Sequence, residues 1–146
     1  MKVPDAIEPA VGYRVWIVKD DRLYSVVHKN MWQPNMPFEA FCPKGHEVPD
    51  SKCKCGTYAT ATFNRLFDMG YTKESGNGLF SAPRGVVTIA GQVKLWGGII
   101  PADTGWRAQF AYPKKLLVPY SRWRIAKQIA AAYDVPFKLY NLERKH

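Results

Sequence analysis

The stretch GVVTIAGQVKLWGGII, residues 85–100, has the strongest β-strand pattern in this chain of 146 residues. Its hydrophobic side chains alternate as the pleat of a strand requires, provided that Gly91 lies on the same face. The alternating side chains are Val87, Ile89, Val93, Leu95 and Ile99. Gly91, Gly97 and Gly98 favour bulges or sharp bends. The stretch therefore predicts a long, bent strand, which suits a small curved sheet or a partly open barrel.

Other segments with β-branched and aromatic residues supply further strands. They are YRVWIV (13–18), RLYSVV (22–27), FEAF (38–41), WRAQFAY (106–112), KLLV (115–118) and FKLY (137–140). The first two predict a hairpin around residues 19–21, and 106–112 returns from the long strand through the turn PADTG, 101–105. Together these patterns indicate an α+β fold with a small curved antiparallel sheet or a partly open barrel.

Two segments have helical spacing. Within TYATATFNRLFDMG, apolar residues predict a helix over residues 58–69 that ends at Gly70. SRWRIAKQIAAAYD, 121–134, predicts a basic C-terminal helix, with Ser121 as N-cap and Pro136 beyond its end. Its apolar stripe consists of Ile125, Ala126, Ile129, Ala130 and Tyr133. Residues 71–85 are polar and glycine-rich, which predicts a loop.

The chain length favours a single domain. We expect this domain to span residues 13–140, between a flexible arm at 1–12 and a tail at 141–146. Hydrophobic residues make up 47% of the chain, which is enough for a core. No apolar run approaches the roughly 20 residues that a membrane crossing needs, and the N-terminus lacks the apolar segment of a secretory signal. We therefore expect a cytoplasmic protein with no membrane partner.

All three cysteines lie in FCPKGHEVPDSKCKCG, residues 41–56, together with His46. Thiolate and imidazole are the preferred ligands of zinc, and structural zinc sites are usually tetrahedral with four Cys or His ligands. Pro43 and Gly45 bend the chain after the first cysteine, and Gly56 follows the last. The candidate ligands are Cys42, His46, Cys53 and Cys55. We expect Zn²⁺ bound in a structural site within the cysteine loop, residues 42–56.

Three other interpretations of these cysteines stay open. A disulfide is disfavoured because the cysteine count is odd and the Cys-x-Cys pair is strained. Three free thiols would leave their clustering among polar residues unexplained. A catalytic thiol paired with His46 would not need three cysteines.

The formal net charge of +9 is concentrated in the last quarter of the chain. Residues 114–146 carry eight Lys or Arg against two Asp or Glu. Cations interleaved with aromatic rings are typical of nucleic-acid-binding surfaces, so we expect contact with single-stranded or structured RNA or DNA. The candidate contacts are Arg107, Lys114, Lys115, Arg122, Trp123, Arg124 and Lys127. The alternative is that Trp106 and Trp123 belong to the core and the charges only solvate a helix face.

A second hypothesis is a protein-interaction module that docks on a larger protein partner. The loop MWQPNMPF, 31–38, would then expose Met31, Trp32 and Phe38 as hydrophobic contacts, although Trp32 could instead close one end of a barrel. An enzyme whose site is assembled from distant residues is a lesser alternative. Few carboxylates are paired, and Asp20 and Asp21 lie in the predicted hairpin turn, where aspartates are expected for conformational reasons. No nucleophile motif or phosphate loop appears in the sequence, so no catalytic residue is assigned.

Three fragments together show a resemblance to known domains. The pattern C…H…CxCGxYA (42–59), the GxVxLWG strand within 87–100 and GWRAxxAYPKKLLV (105–118) resemble a recurrent, functionally uncharacterised small domain of bacteria and phages. The resemblance covers about half of the chain and implies one compact unit without known catalytic residues. Thr57 stands where that pattern has an aliphatic residue. At the level of the fold, GxVxLWG with its returning strand is similar to the central hairpin of PUA/ASCH-type barrels, which implies RNA or modified-base binding.

Overall fold

The computed structural model describes residues 9–26, 29–68 and 87–140, which fold mostly into sheet. The strands are β1 (Ala10–Lys19), β2 (Arg22–Ser25), β3 (Met31–Trp32), β4 (Phe38–Glu39), β5 (Thr57–Thr60), β6 (Val87–Ala102), β7 (Gly105–Pro119) and β8 (Phe137–Tyr140). The helices are α1 (Arg65–Asp68) and α2 (Trp123–Tyr133), and a 3-10 turn (Tyr120–Arg122) leads into α2. Within these residues, neither helix has the length and apolar character that crossing a bilayer requires.

The predicted long hairpin forms the centre of the sheet, because β6 and β7 pair antiparallel along most of their length. Their register shifts between Trp96 and Ile99, where Gly97 has a φ of +78°. A Cβ atom at Gly97 would lie 2.7 Å from the ring of Phe110, so both the backbone angle and the packing require glycine there. The bend that the glycines predicted is thus confirmed at this position.

Four strands close into a ring around the core. β1 pairs with β6 from Ala10 to Val18, and it also contacts β5 through Tyr13 and Thr60. β5 in turn pairs with β7, which completes the circuit β1–β6–β7–β5. β2 and β3 extend the sheet beyond β1, and β8 pairs with the end of β7 in parallel. The sheet is therefore curved as expected, although its last strand is parallel to its neighbour.

β4 and β5 lie in one line along the same edge of β7. Glu39 in β4 is paired with Phe110, and Thr57 in β5 is paired with Ala108, which is only two residues away in β7. Both strands run antiparallel to β7. The cysteine loop is thus an insertion between two strand segments that pair with the same side of β7, and its two ends lie close together.

Helix α2 is fixed to the sheet by its buried face and by Tyr133. Ala126, Ile129 and Tyr133 are fully buried in the core against β7 and β2. The Tyr133 hydroxyl accepts a hydrogen bond from the Leu23 amide at 2.7 Å and donates one to the Trp32 carbonyl. The predicted apolar stripe of α2 is therefore the stripe that enters the core.

Several local predictions differ from the structure. The helix predicted over residues 58–69 is wrong: residues 57–60 form β5, and only Arg65–Asp68 forms a helical turn. Pairing with β7 gives this segment backbone partners that a helical pattern cannot reveal. β1 starts at Ala10, inside the predicted arm, and the N-cap residue of α2 is Arg122 rather than Ser121. The predicted loop at 71–85 and the tail at 141–146 lie outside the described residues.

Candidate metal centre and basic surface

The structure brings the four predicted metal ligands together. One ligand atom from each of Cys42, His46, Cys53 and Cys55 lies within 4.8 Å of all the others. The Cys42 sulfur is 3.4 Å from His46 Nε2 and 3.9 Å from the Cys53 sulfur, and the Cys55 sulfur is 3.9 Å from His46 Nδ1. All three cysteines are free of disulfides. The cluster is therefore compatible with a bound metal ion.

These distances are compatible with zinc. Bonds of about 2.3 Å to sulfur and about 2.0 Å to nitrogen place the corners of a tetrahedral zinc site roughly 3.5–3.8 Å apart. The separations from the Cys42 sulfur lie near this range. The His46 Nδ1 atom lies 2.9 Å from the Glu47 carbonyl oxygen, which fits donation of its proton and leaves Nε2 as the ligand atom. Three thiolates and one imidazole would fill all four positions, as in structural zinc sites.

Short-range turns in the cysteine loop place the ligands. The Gly45 amide donates to the Cys42 carbonyl at 3.0 Å, and Gly45 has a φ of +82°, so the chain reverses between the first two ligands. Asp50 makes a second turn, because its side chain accepts from the Lys52 amide and its carbonyl accepts from the Cys53 amide. Gly56, directly after the last cysteine, has a φ of +114°, a backbone angle that glycine adopts without steric cost.

Arg107 holds the cysteine loop against β7. Its side chain is buried, and its Nη1 atom donates hydrogen bonds to the carbonyls of Asp50, Cys53 and Cys55. The last of these bonds is 2.8 Å long. A guanidinium in this position also carries positive charge toward the thiolates. The prediction that Arg107 extends an exposed nucleic-acid surface is therefore wrong, because its nitrogen atoms face the protein.

Hydrogen bonds within the cluster shift the protonation of the ligands. The side-chain hydrogen bond with His46 lowers the pKa of Cys53 to about 6, with help from a backbone bond at Cys55. The Glu47 carbonyl, followed by Cys53, raises the pKa of His46. Desolvation raises the pKa of Cys55. The hydrogen bond from His46 thus favours the thiolate form of Cys53, which is the form that binds a metal.

The predicted nucleic-acid contacts near α2 are mostly exposed. Trp123 has 46% of its surface exposed at the first position of α2, and the Arg124 guanidinium lies 5.1 Å from its ring centroid. Lys114, Arg124 and Lys127 are exposed, whereas Lys115 and Arg122 are half-buried. Burial lowers the pKa of Arg122. Trp106 packs against the core, so the core interpretation is correct for Trp106 and wrong for Trp123.

The predicted protein-interaction residues do not form one exposed patch. Trp32 is only 1% exposed and belongs to the core, where its ring stacks on Phe38 with centroids 4.5 Å apart. Its indole nitrogen donates to the Ser25 hydroxyl. Phe38 is half-buried, and only Met31 of the three is exposed. The prediction of Trp32 as an exposed contact is therefore wrong, because the sheet supplies partners for both its ring and its N–H group.

Comparison of the chain with protein-family models, curated proteins and solved structures gives no match.

Proposed function

We propose that this chain is a zinc-stabilised nucleic-acid-binding protein that contacts single-stranded or structured RNA or DNA through the solvent face of α2. The observation that supports the proposal best is the exposure of Trp123 next to the two exposed cations of α2, Arg124 and Lys127. Trp123 stands at the first position of α2, and the buried residues of this helix are Ala126, Ile129, Ala130 and Tyr133, so the ring is not part of the buried stripe. The cluster of Cys42, His46, Cys53 and Cys55 then stabilises the fold without taking part in binding.

The residues of this surface are neighbours on the helix. Tyr120, Trp123, Arg124 and Lys127 are spaced by three or four positions, which places them side by side. We call these four residues the basic-aromatic face. Tyr120 is 59% exposed, so the face presents two accessible rings. No Asp or Glu occurs in the sequence between Lys114 and Tyr133, so no nearby carboxylate on this segment opposes a phosphate.

Such a face suits an unpaired strand for two physical reasons. Cations displace condensed counterions from phosphates, which makes binding weaken as salt rises. Aromatic rings stack on unpaired bases, which contributes about 1–3 kcal/mol per base and depends little on sequence. Arg124, which already lies against Trp123, can contribute to stacking as well as charge.

Fluorescence anisotropy with labelled single-stranded RNA and DNA 12-mers tests the proposal. We expect affinity to fall steeply between about 50 and 200 mM salt. Trp123→Ala removes one stacking platform and should weaken binding by about 5- to 150-fold. Lys127→Gln should reduce the slope of log affinity against log salt by about one or slightly less.

Lys19→Gln is the matched control, because Lys19 is an exposed lysine at the β1–β2 turn. It should bind as the parent protein does. If neither oligonucleotide binds at low salt, or if Trp123→Ala binds as tightly as the control, the proposal is wrong. Zinc content measured on each variant separates loss of the binding face from loss of the metal centre.

A further inference from the structure

A cleft of about 830 Å³ lies between the cysteine loop and the strands β1 and β5. This volume is within the range of sites that hold small organic ligands. The loop from Phe41 to Gly56 contributes one side, and residues of β1 and β5, including Tyr13 and Thr60, contribute the other. The cleft is separate from the basic-aromatic face, whose residues do not line it.

Among the residues that the structure describes, the charged ones that line this cleft all have one sign. Arg14, Lys44, Lys52 and Lys54 line it, and no Asp or Glu does so among the residues that the structure describes. Zinc bound by three thiolates and a neutral imidazole carries one net negative charge, which would offset only one of the four cations. The cleft therefore retains an excess of positive charge and favours an anion.

Arg14 is held in place at the cleft. Its Nη1 atom donates to the Tyr58 carbonyl at 3.0 Å, and its guanidinium carbon lies 4.9 Å from the ring centroid of Trp32. Trp32 is itself packed between this guanidinium and Phe38. Because its side chain is ordered before any ligand arrives, Arg14 loses less conformational entropy on binding than a free surface arginine would.

Two exposed aromatic residues also line the cleft. Phe41 is 79% exposed and directly precedes the ligand Cys42, and Tyr58 is 44% exposed. The Tyr58 hydroxyl donates to the Lys54 carbonyl at 2.8 Å, which fixes the orientation of its ring over the loop. Together with Phe38, these side chains give the cleft an aromatic lining that a planar ring can contact.

We propose that this cleft binds a small planar aromatic anion, that is, a ring that bears a phosphate, carboxylate or sulfonate group. The ring contacts Phe41 and Tyr58, and the anionic group lies among Lys52, Lys54 and Arg14. This site is independent of nucleic-acid binding by the basic-aromatic face. Metal binding would also support this site, because the cysteine loop forms one wall of the cleft.

Two probes that share one ring and differ in charge test the proposal. Isothermal titration of the zinc-loaded full chain is performed with 2-naphthalenesulfonate and with 2-naphthylmethylammonium. We expect the sulfonate to bind with one molecule per chain and at least about tenfold more tightly than the ammonium compound. Equal affinity of the two probes, or no measurable binding of the sulfonate at millimolar concentration, would overturn the proposal.

Variants at exposed positions then locate the site. The double variant Lys52→Gln/Lys54→Gln and the single variant Phe41→Ala should each weaken sulfonate binding by about tenfold. Both replace exposed side chains, so folding and zinc content should be preserved, and zinc content is measured on each. Unchanged affinity in both variants, with zinc retained, would show that the probe binds elsewhere and that the assignment is wrong.

Trp123→Ala and Lys127→Gln serve as controls, because they alter the basic-aromatic face and not the cleft. They should bind the sulfonate as the parent protein does, even though they weaken oligonucleotide binding. Failure of nucleic-acid binding thus leaves this experiment unaffected. If a single-stranded 12-mer displaces the sulfonate from Trp123→Ala, the occupant of the cleft is a nucleic-acid strand, and the proposal of a small anion is wrong.

Discussion

Replacement of Arg107 by methionine should weaken zinc binding although Arg107 is not a ligand. Methionine keeps much of the side-chain length but removes the charge and every donor. Three loop carbonyls, those of Asp50, Cys53 and Cys55, then lose the shared nitrogen atom that holds them. Because two of these carbonyls belong to ligand residues, the change releases the backbone that positions the two thiolates.

The magnitude follows from the hydrogen bonds that are lost. A bond from a charged donor contributes about 1.5–3 kcal/mol, and the carbonyls of both ligand residues, Cys53 and Cys55, lose such a bond. Part of this energy is recovered when water reaches the freed carbonyls of the exposed loop. Partners that orient metal ligands typically change metal affinity by about 10- to 100-fold, or roughly 1.4–2.8 kcal/mol. We expect Arg107→Met to fall within that range.

Competition against a chromogenic zinc chelator measures the effect directly. Arg107→Lys keeps a charge, but its ammonium nitrogen lies one bond closer to the backbone than Nη1, so this variant should lie between the parent and Arg107→Met. Arg124→Met removes an exposed arginine and should leave zinc affinity unchanged. If Arg107→Met retains parental zinc affinity while circular dichroism shows a folded sheet, the role assigned to Arg107 is refuted. If it folds only when zinc is added in excess, the role is supported.

Three further outcomes test the core. Tyr133→Phe removes the hydroxyl that bonds the Trp32 carbonyl and one buried amide, so urea unfolding should show a loss of about 1–3 kcal/mol. Burial raises the pKa of Tyr133 above its usual value of 10.0, so its neutral form is favoured in the folded protein. The stability that Tyr133 contributes is therefore complete below the pKa of the unfolded state and is lost as pH rises from there through the pKa of the folded state. Between about pH 8 and about pH 11, the free energy of unfolding in urea should fall less in Tyr133→Phe than in the parent. Gly105→Ala should cost more stability in urea than Gly98→Ala, because its Cβ atom would lie 2.0 Å from the Ala59 carbonyl oxygen, whereas that of Gly98 has 3.2 Å to its nearest neighbour.

Features that depend on neighbouring residues in the sequence could be predicted. The four metal ligands lie within one short loop, so their residue types and turn residues suffice to bring them together. The bend near Gly97 and the buried stripe of α2 are also local properties of a strand and a helix. In each case the physical constraint acts within about a dozen residues. It is a ligand preference, a backbone angle or a periodicity.

Features that depend on strand pairing could not be predicted. β5 is a strand because it lies between β1 and β7, which are distant in sequence. Arg107 reaches the cysteine loop because it is paired with Tyr58 across the sheet, and no sequence pattern gave that register. Trp32 is buried because Trp16, Phe38 and Arg14 surround it, although its proline-containing loop suggested exposure.

The position of the cysteine loop gives a physical reason why all three cysteines lie in it. Glu39 and Thr57 are held two residues apart on the edge of β7, so the ends of the loop are separated by only about 7 Å along the strand direction. Closing a polar loop between two fixed ends costs conformational entropy. The loop has few apolar residues, so burial of apolar surface offsets little of this entropy cost. A metal ion bound by the four ligands would supply the missing stabilisation, and Arg107 connects the loop to the sheet. Because ladder pairing holds both ends of the loop without the metal, removal of zinc should disorder the loop and the adjacent cleft before it disrupts β6 and β7.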